Sequence, residues 1–178
     1  MKIILGITGA SGAVLAKNAI NTLINEHELY VVASENGCRT FKKECDIELY
    51  DFLRRKSGVV RFANDNLFAP IANSNFDADC MIILPCSTAA IGRISTGSGS
   101  TLLTRTADVM LKEGKRIVIC INEAPLYPIT LHNLQTLASC GVIINPLVPT
   151  AYESHACEKL IYDSILERVF RSANIKNK

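Results

Sequence analysis

Lys2-Ile-Ile-Leu-Gly-Ile-Thr-Gly-Ala-Ser-Gly12 opens the chain and sets its fold. A strand-length apolar run passes into a Gly/Ser-rich turn, and from Ala13 the residues Leu15, Ala19, Ile20 and Leu23 recur at helical spacing. This is how a first parallel strand hands over to a helix N-terminus, where free backbone N–H groups and the helix dipole favour an anion. Gly6, Gly9 and Gly12 allow close approach of a ligand to the backbone, and Ser11 adds a hydroxyl that can bind phosphate or pass a proton. Glycines also suit any tight strand-to-helix turn. The position after the first strand favours a nucleotide or flavin phosphate nearby, without naming the cofactor.

The same alternation continues along the chain. Strands are predicted at Ile3–Ile7, Glu28–Ser34, Val59–Phe62, Cys80–Pro85, Arg116–Ile121 and Val142–Ile144. Helices are predicted at Ala13–Asn25, Gly37–Glu44, Leu49–Arg54, Thr88–Ser95, Leu102–Glu113, Ile129–Cys140 and Glu158–Ser172, with residues 173–178 fraying. Residues 64–75 are polar and read as a functional loop with one helical turn. Cys80-Met-Ile-Ile-Leu-Pro85 has almost no polar side chain, as a strand covered on both faces requires. The expected architecture is a Rossmann-like three-layer α/β/α domain over 1–172 with a mostly parallel sheet. Ligands should bind where loops leave the carboxyl ends of its strands.

Composition narrows the function classes. With 178 residues, 48% of them hydrophobic, the chain can bury a sizeable core. A net charge of +2 argues against nucleic-acid binding, and every apolar run is too short to span a membrane. No signal peptide is expected. Seven cysteines at scattered spacings read as free thiols of a reducing cytoplasm. His27, His132 and His155 have no partner at ligand spacing, so no metal site is expected.

The polar, glycine-rich or unusual segments fall at the predicted strand ends: Thr8–Gly12, Ser34–Gly37, Pro85–Ala90 and Asn122–Pro125. Pro85-Cys86-Ser87-Thr88-Ala89-Ala90 follows a strand and opens a helix, so Ser87 and Thr88 are candidate caps and their exposed N–H groups a second anion or carbonyl site. Cys86, beside that N-terminus, is a candidate low-pKa thiol, although no His lies nearby in sequence to activate it. Arg105, Asp108 and Lys112 share helical faces, and Asp108 suits an i,i+4 pair with Lys112. Glu123 sits at a strand's carboxyl end beside Pro125, where partial desolvation would fit a carboxylate for proton transfer. Tyr152 and Arg168 offer a phenol and a guanidinium for a phosphate.

Together these motifs resemble the flavin prenyltransferases (UbiX-like proteins, formerly described as small aromatic-acid decarboxylases). The resemblance rests on Gly6-Ile-Thr-Gly-Ala-Ser-Gly12, Pro85-Cys-Ser87, Leu102-Leu-Thr-Arg105-Thr-Ala-Asp108-Val-Met-Leu-Lys112-Glu113, Glu123-Ala-Pro125-Leu126, Pro146–Tyr152 and Arg168. It runs through nearly the whole chain in family order. It implies a Rossmann-like flavoprotein that joins the prenyl group of dimethylallyl phosphate to N5 and C6 of reduced FMN, without a metal. The product would serve a UbiD-type decarboxylase, and the chain would form a homo-oligomer, a dodecamer in the family.

The resemblance also implies roles. Gly9, Ala10, Ser11, Ser34, Ser87, Thr88, Ala89, Ala90 and Arg105 match positions that hold FMN. Lys112, Tyr152 and Arg168 match positions that hold the prenyl phosphate, and Glu44 matches an acidic residue near it. Glu123 matches the acid/base that takes the flavin C6 proton, with Ser11 relaying protons to the departing phosphate. Asn122 stands where the family usually has an arginine, in an Arg-Glu-x-Pro-Leu motif, that also contacts the prenyl phosphate. That departure leaves two other readings open: a non-catalytic FMN carrier, or a transferase with a different donor. A peptidyl-cysteine decarboxylase fits less well, because its catalytic His and Ala-Ser-Ala-Asn-Thr loop do not occur in the sequence.

Overall fold

A computed structural model describes residues 1–149 and 157–176. Six strands form one all-parallel sheet: β1 (Lys2–Ile7), β2 (Glu28–Ala33), β3 (Val59–Phe62), β4 (Cys80–Cys86), β5 (Arg116–Ile121) and β6 (Ile143–Pro146), in the order β3-β2-β1-β4-β5-β6. The helices are α1 (Ala13–Leu23), α2 (Glu35–Cys45), α3 (Leu49–Arg54), α4 (Thr88–Ser95), α5 (Leu102–Lys112), α6 (Pro128–Ser139) and α7 (Glu158–Ser172).

Strand periodicity divides the apolar side chains between two cores. Ile3, Leu5 and Ile7 of β1 pack with Cys80, Ile82 and Leu84 of β4 against α1, α2, α3 and α7. The intervening Ile4, Met81 and Ile83 face the opposite way, against α4, α5 and α6. Both faces are covered, which is why these strands read as continuous apolar runs.

Several boundaries differ from the sequence reading for identifiable reasons. Helix α2 starts at Glu35, two residues before the predicted Gly37, because the Ser34 hydroxyl accepts the Gly37 N–H at 3.0 Å and caps it. β4 continues past Pro85 to Cys86, since the register with β5 shifts between Ile83 and Cys86 and the irregularity accommodates the proline. The loop predicted over 64–75 holds two single 3₁₀ turns, Pro70–Ala72 and Ser74–Phe76. Beyond α7, Ala173 and Ile175 are buried in the core and the Ile175 N–H donates to the Phe170 carbonyl. The expected fraying therefore does not begin at 173.

The strand order matters for function. β1 and β4 are neighbours, and the chain leaves β1 toward β2 on one side but reaches β5 from β4 on the other. A crevice opens at such a reversal, outside the carboxyl ends of the strands.

Candidate active site

A cleft of about 500 Å³ lies at this switch point, lined by Gly9 and Ala10 after β1, Ser34–Asn36 after β2, Ser87–Ala89 after β4 and Glu123 after β5. Asn64, Arg93 and Thr101 complete its wall. Its volume is in the range of small-molecule and cofactor sites.

Thr8 fixes the floor. Its buried hydroxyl donates to the Pro85 carbonyl at 2.9 Å and accepts the Ser87 N–H at 2.7 Å, while its own N–H reaches the same Pro85 carbonyl at 3.1 Å. The ends of β1 and β4 are thereby locked together, and the start of α4 is aimed over the cleft. Ser87 caps α4 by accepting the Ala90 N–H at 3.3 Å, as Ser34 caps α2. An accepting serine oxygen keeps its O–H as a donor, so capping does not exhaust either hydroxyl. The first-turn N–H groups of Thr88 and Ala89 have no partner within the helix. Gly9 is required sterically, because a Cβ there would stand 2.5 Å from Asn36 Cβ.

The wall beside β2 is pinned by Asn64. Its carbonyl accepts the Leu102 N–H at 2.8 Å and its side-chain oxygen the Leu103 N–H at 3.0 Å, satisfying two donors at the start of α5. Thr101 and Thr104 form a capping box at the same end. The polar loop is thus held to the cleft by helix capping.

The first glycine loop behaves differently from expectation. The N-terminus of α1 does hold an anion, but a protein one: Glu44 Oε2 accepts from Gly12 N at 3.1 Å and from Ala13 N at 2.7 Å. Gly12 has φ = 113°, a left-handed conformation that suits glycine. The cradle expected for a phosphate is therefore split: Gly9 and Ala10 face the cleft, while Gly12 and Ala13 face Glu44.

The remaining predicted residues fall elsewhere. Glu44 and Asn122 line a second cavity of about 440 Å³ with Gly12, Leu147, Pro149 and Tyr162. Asn122 Nδ2 donates to the Ser11 carbonyl at 3.3 Å, and Ser11 is exposed. Arg168, half-buried on α7, donates to the Val148 carbonyl. Arg105 and Lys112 line a third cleft of about 320 Å³ with Asn73 and Ser74. Lys112 Nζ lies 4.0 Å from Asp108 Oδ2, the pairing expected from their spacing. Tyr152 and His155 lie outside the described residues.

Two expectations about reactivity change. Cys86 is not an activated thiol: it is buried, and desolvation pushes its pKa up, as it does for Cys120 and for Cys80, which rises to about 12. Burial in β4 outweighs the nearby helix N-terminus. Glu123 is exposed, so the desolvation expected around it is not supplied by this chain alone.

The Flavoprotein family matches residues 1–173. The flavin prenyltransferase UbiX of Methanocaldococcus jannaschii is 30% identical over 177 residues, covering 99% of this chain and 95% of that protein. The chain belongs to the flavoprotein family, among the UbiX-type flavin prenyltransferases. A dodecameric FMN-dependent UbiX-like decarboxylase from Escherichia coli O157:H7 superposes with a TM-score of 0.93 at 30% identity, covering 99% of this chain and 96% of that one. AnUbiX (PadA1), solved in complex with FMN and dimethylallyl pyrophosphate, superposes with a TM-score of 0.91 at 31% identity, covering 98% and 92%. The three-layer Rossmann-like fold expected from the sequence is the fold of these proteins.

Arg93 and Thr101 were not among the sequence candidates, and Thr8 and Asn36 fell inside candidate loops without a role of their own. Thr8 lay inside the quoted motif, but its role depends on an accepting carbonyl 77 positions away. Arg93 had a signal: it follows Ala89 by one helical turn and so shares its face.

Proposed function

We propose that this protein is a flavin prenyltransferase that joins a dimethylallyl group to N5 and C6 of reduced FMN and releases the donor's phosphate. The observation that carries the reading is the cleft at the β1/β4 switch point, where the flavin-loop candidates Ser87–Ala89, the Gly9–Ala10 turn, Ser34 and the Glu123 carboxylate converge. Two features of this cleft suit FMN: N–H groups on α4 without a partner among the described residues, which suit carbonyl oxygens of a flavin ring, and hydroxyls that suit the ribityl chain or phosphate.

Reduced FMN supplies nucleophilic N5 and C6 atoms for the prenyl group. The chain's residues bind, orient and move protons. Ser34, Ser87, Thr88, Ala89 and Ala90 hold the flavin, with Gly9 admitting it to the backbone. Glu123 takes the proton lost at C6, and Ser11 relays a proton toward the departing phosphate. Ionising an allylic phosphate leaves negative charge that cations such as Lys112 and Arg168 stabilise, and the flavin π-face steadies the allyl fragment. Water must be kept from that fragment. Glu123 is exposed, and Arg105 and Lys112 line a different cleft, so assembly into a dodecamer that juxtaposes clefts of different copies is part of the proposal. A UbiD-type decarboxylase is the proposed recipient of the product.

The test is anaerobic incubation with reduced FMN and dimethylallyl phosphate, with mass spectrometry of the extracted flavin. Flavin heavier by one C5 unit is expected. Bound but unmodified FMN, with both the mono- and diphosphate donors, would instead identify a flavin carrier.

A further inference from the structure

Arg93 is a basic side chain with no assigned task. It is the only basic residue among the described residues that line the switch-point cleft, whose two acids are Glu35 and Glu123. Glu35 is paired with Arg39. Arg93 is exposed and its guanidinium has no hydrogen bond or ion pair among the described residues.

A basic residue in the last turn of a helix commonly serves the helix's own carbonyls. Here those carbonyls are taken by others. The Gly92 carbonyl accepts from Ser95 Oγ, Thr96 Oγ1 and Thr96 N, that of Arg93 from Ser98 N, and that of Ile94 from Gly97 N. Arg93 is not needed as a C-terminal cap. Its position points the other way: it follows Ala89 by four residues, and long side chains on a helix lean toward the N-terminal turn. Arg93 accordingly lines the same cleft as Thr88 and Ala89, whose first-turn N–H groups have no partner within the helix. The other cations assigned to the site do not line this cleft: Arg105 and Lys112 line the third, and Arg168 is engaged at Val148. Neutral Asn122 is turned to the Ser11 carbonyl.

We propose that Arg93 is a phosphate-binding residue of this site, its planar fork pairing with a phosphate monoester held in the switch-point cleft. The group is the 5′-phosphate of FMN or the phosphate of the allylic donor; the claim rests on the prenyltransferase reading only for naming those two sources.

The test is calorimetric binding of FMN, riboflavin and dimethylallyl phosphate to the full chain and to its Arg93→Gln and Arg93→Lys variants, the donor being titrated into the flavin-loaded protein. Loss of a charge-assisted bidentate contact is worth roughly 10–100-fold in affinity. If Arg93 holds the flavin phosphate, Arg93→Gln weakens FMN by that factor and leaves riboflavin unchanged. If it holds the donor, FMN affinity is kept and dimethylallyl phosphate weakens. In either case Arg93→Lys recovers part of the loss, because it keeps the charge but not the fork. Equal weakening of FMN and riboflavin, or no change in any of the three, overturns the proposal. Binding is read without turnover. A protein that binds these ligands through Arg93 but forms no prenylated flavin would refute the proposed activity and leave this assignment standing.

Discussion

Replacing Glu44 by alanine removes the anion that the structure places on the N-terminus of α1. Two N–H groups lose their acceptor, Gly12 N at 3.1 Å and Ala13 N at 2.7 Å, and both contacts are partly buried. Hydrogen bonds to a charged group contribute about 1.5–3 kcal/mol, and a lost helix cap alone about 1 kcal/mol. The pair shares one carboxylate and is open to solvent on one side, so we expect a loss of about 2 kcal/mol, or roughly 4–8 °C in Tm for a domain of this size. Urea unfolding of Glu44→Ala, Glu44→Gln and Glu26→Ala is the assay, the last removing an exposed carboxylate that caps nothing. Glu44→Gln should fall between wild type and Glu44→Ala, since an amide oxygen still accepts but carries no charge. Inorganic phosphate should stabilise Glu44→Ala more than wild type by occupying the vacated helix end. If Glu44→Ala matches Glu26→Ala, the capping argument fails, and Glu44 is free for other work at the site.

Glu123→Gln should retain FMN with near wild-type affinity while lowering prenylation by at least about 100-fold, the scale of a lost general base; undiminished turnover removes Glu123 from the proton-transfer role. Thr8→Val should cost about 2 kcal/mol and weaken flavin binding, because Ser87 N and the Pro85 carbonyl both lose a buried partner; Thr8→Ser, which keeps the hydroxyl, should behave as wild type in the same unfolding and binding titrations. The buried thiols give a pH signature. Thiols of the unfolded chain ionise near pH 8.5–9, whereas burial holds Cys80 at about 12 and raises Cys86 and Cys120 as well. Above pH 9 the unfolded state therefore sheds protons that the native state keeps. Stability, complete below that pH, should fall by about 1.4 kcal/mol per pH unit for each thiol. Unfolding free energies that stay flat from pH 8 to 10 would contradict this, as would native-state alkylation of Cys86 as fast as that of exposed Cys140 or Cys157.

The layered fold was legible because its signals are local. The two-residue alternation of Ile3 to Ile7 and Cys80 to Leu84, uninterrupted by polar side chains, requires cover on both faces, and the helices that supply it carry their own periodicity. Boundaries were less legible where a single contact decides them. Ser34 starts α2 early by capping it, and Ile175 stays in the core although the sequence around it, Ala173-Asn-Ile-Lys-Asn-Lys178, reads as a polar tail. Strand order is not a local property, and the switch point became visible only once β1 and β4 were seen side by side.

The site was legible in its residue types and not in their grouping. Gly9, Ser34, Ser87 and Glu123 each lie at the carboxyl end of a different strand, so a parallel sheet must bring them to one edge, and it does. Glu44 and Arg105 obey no such rule, because both sit on helices whose placement depends on packing. Helix α2 lies against α1, so Glu44 meets the Gly12 turn from the far side of the loop that faces the cleft. Arg105 lines the cleft of Asn73, Ser74 and Lys112 and is not among the residues lining the cleft of Ser87 and Glu123. The candidates line three cavities of the single chain, Gly12 and Glu44 one, Gly9, Ser87 and Glu123 another, and Arg105 and Lys112 a third. On the proposed dodecamer reading, a second copy presents its α5 cations to the first copy's cleft, which would unite the three groups in one reaction. Arg93, the one arginine among the described residues lining the cleft, comes from the same chain as Ser34, Ser87 and Glu123. Prenyl transfer, read as the mass of the extracted flavin, should therefore be lost on dilution below the point where the assembly dissociates, and undiminished transfer by monomers would refute a site shared between copies.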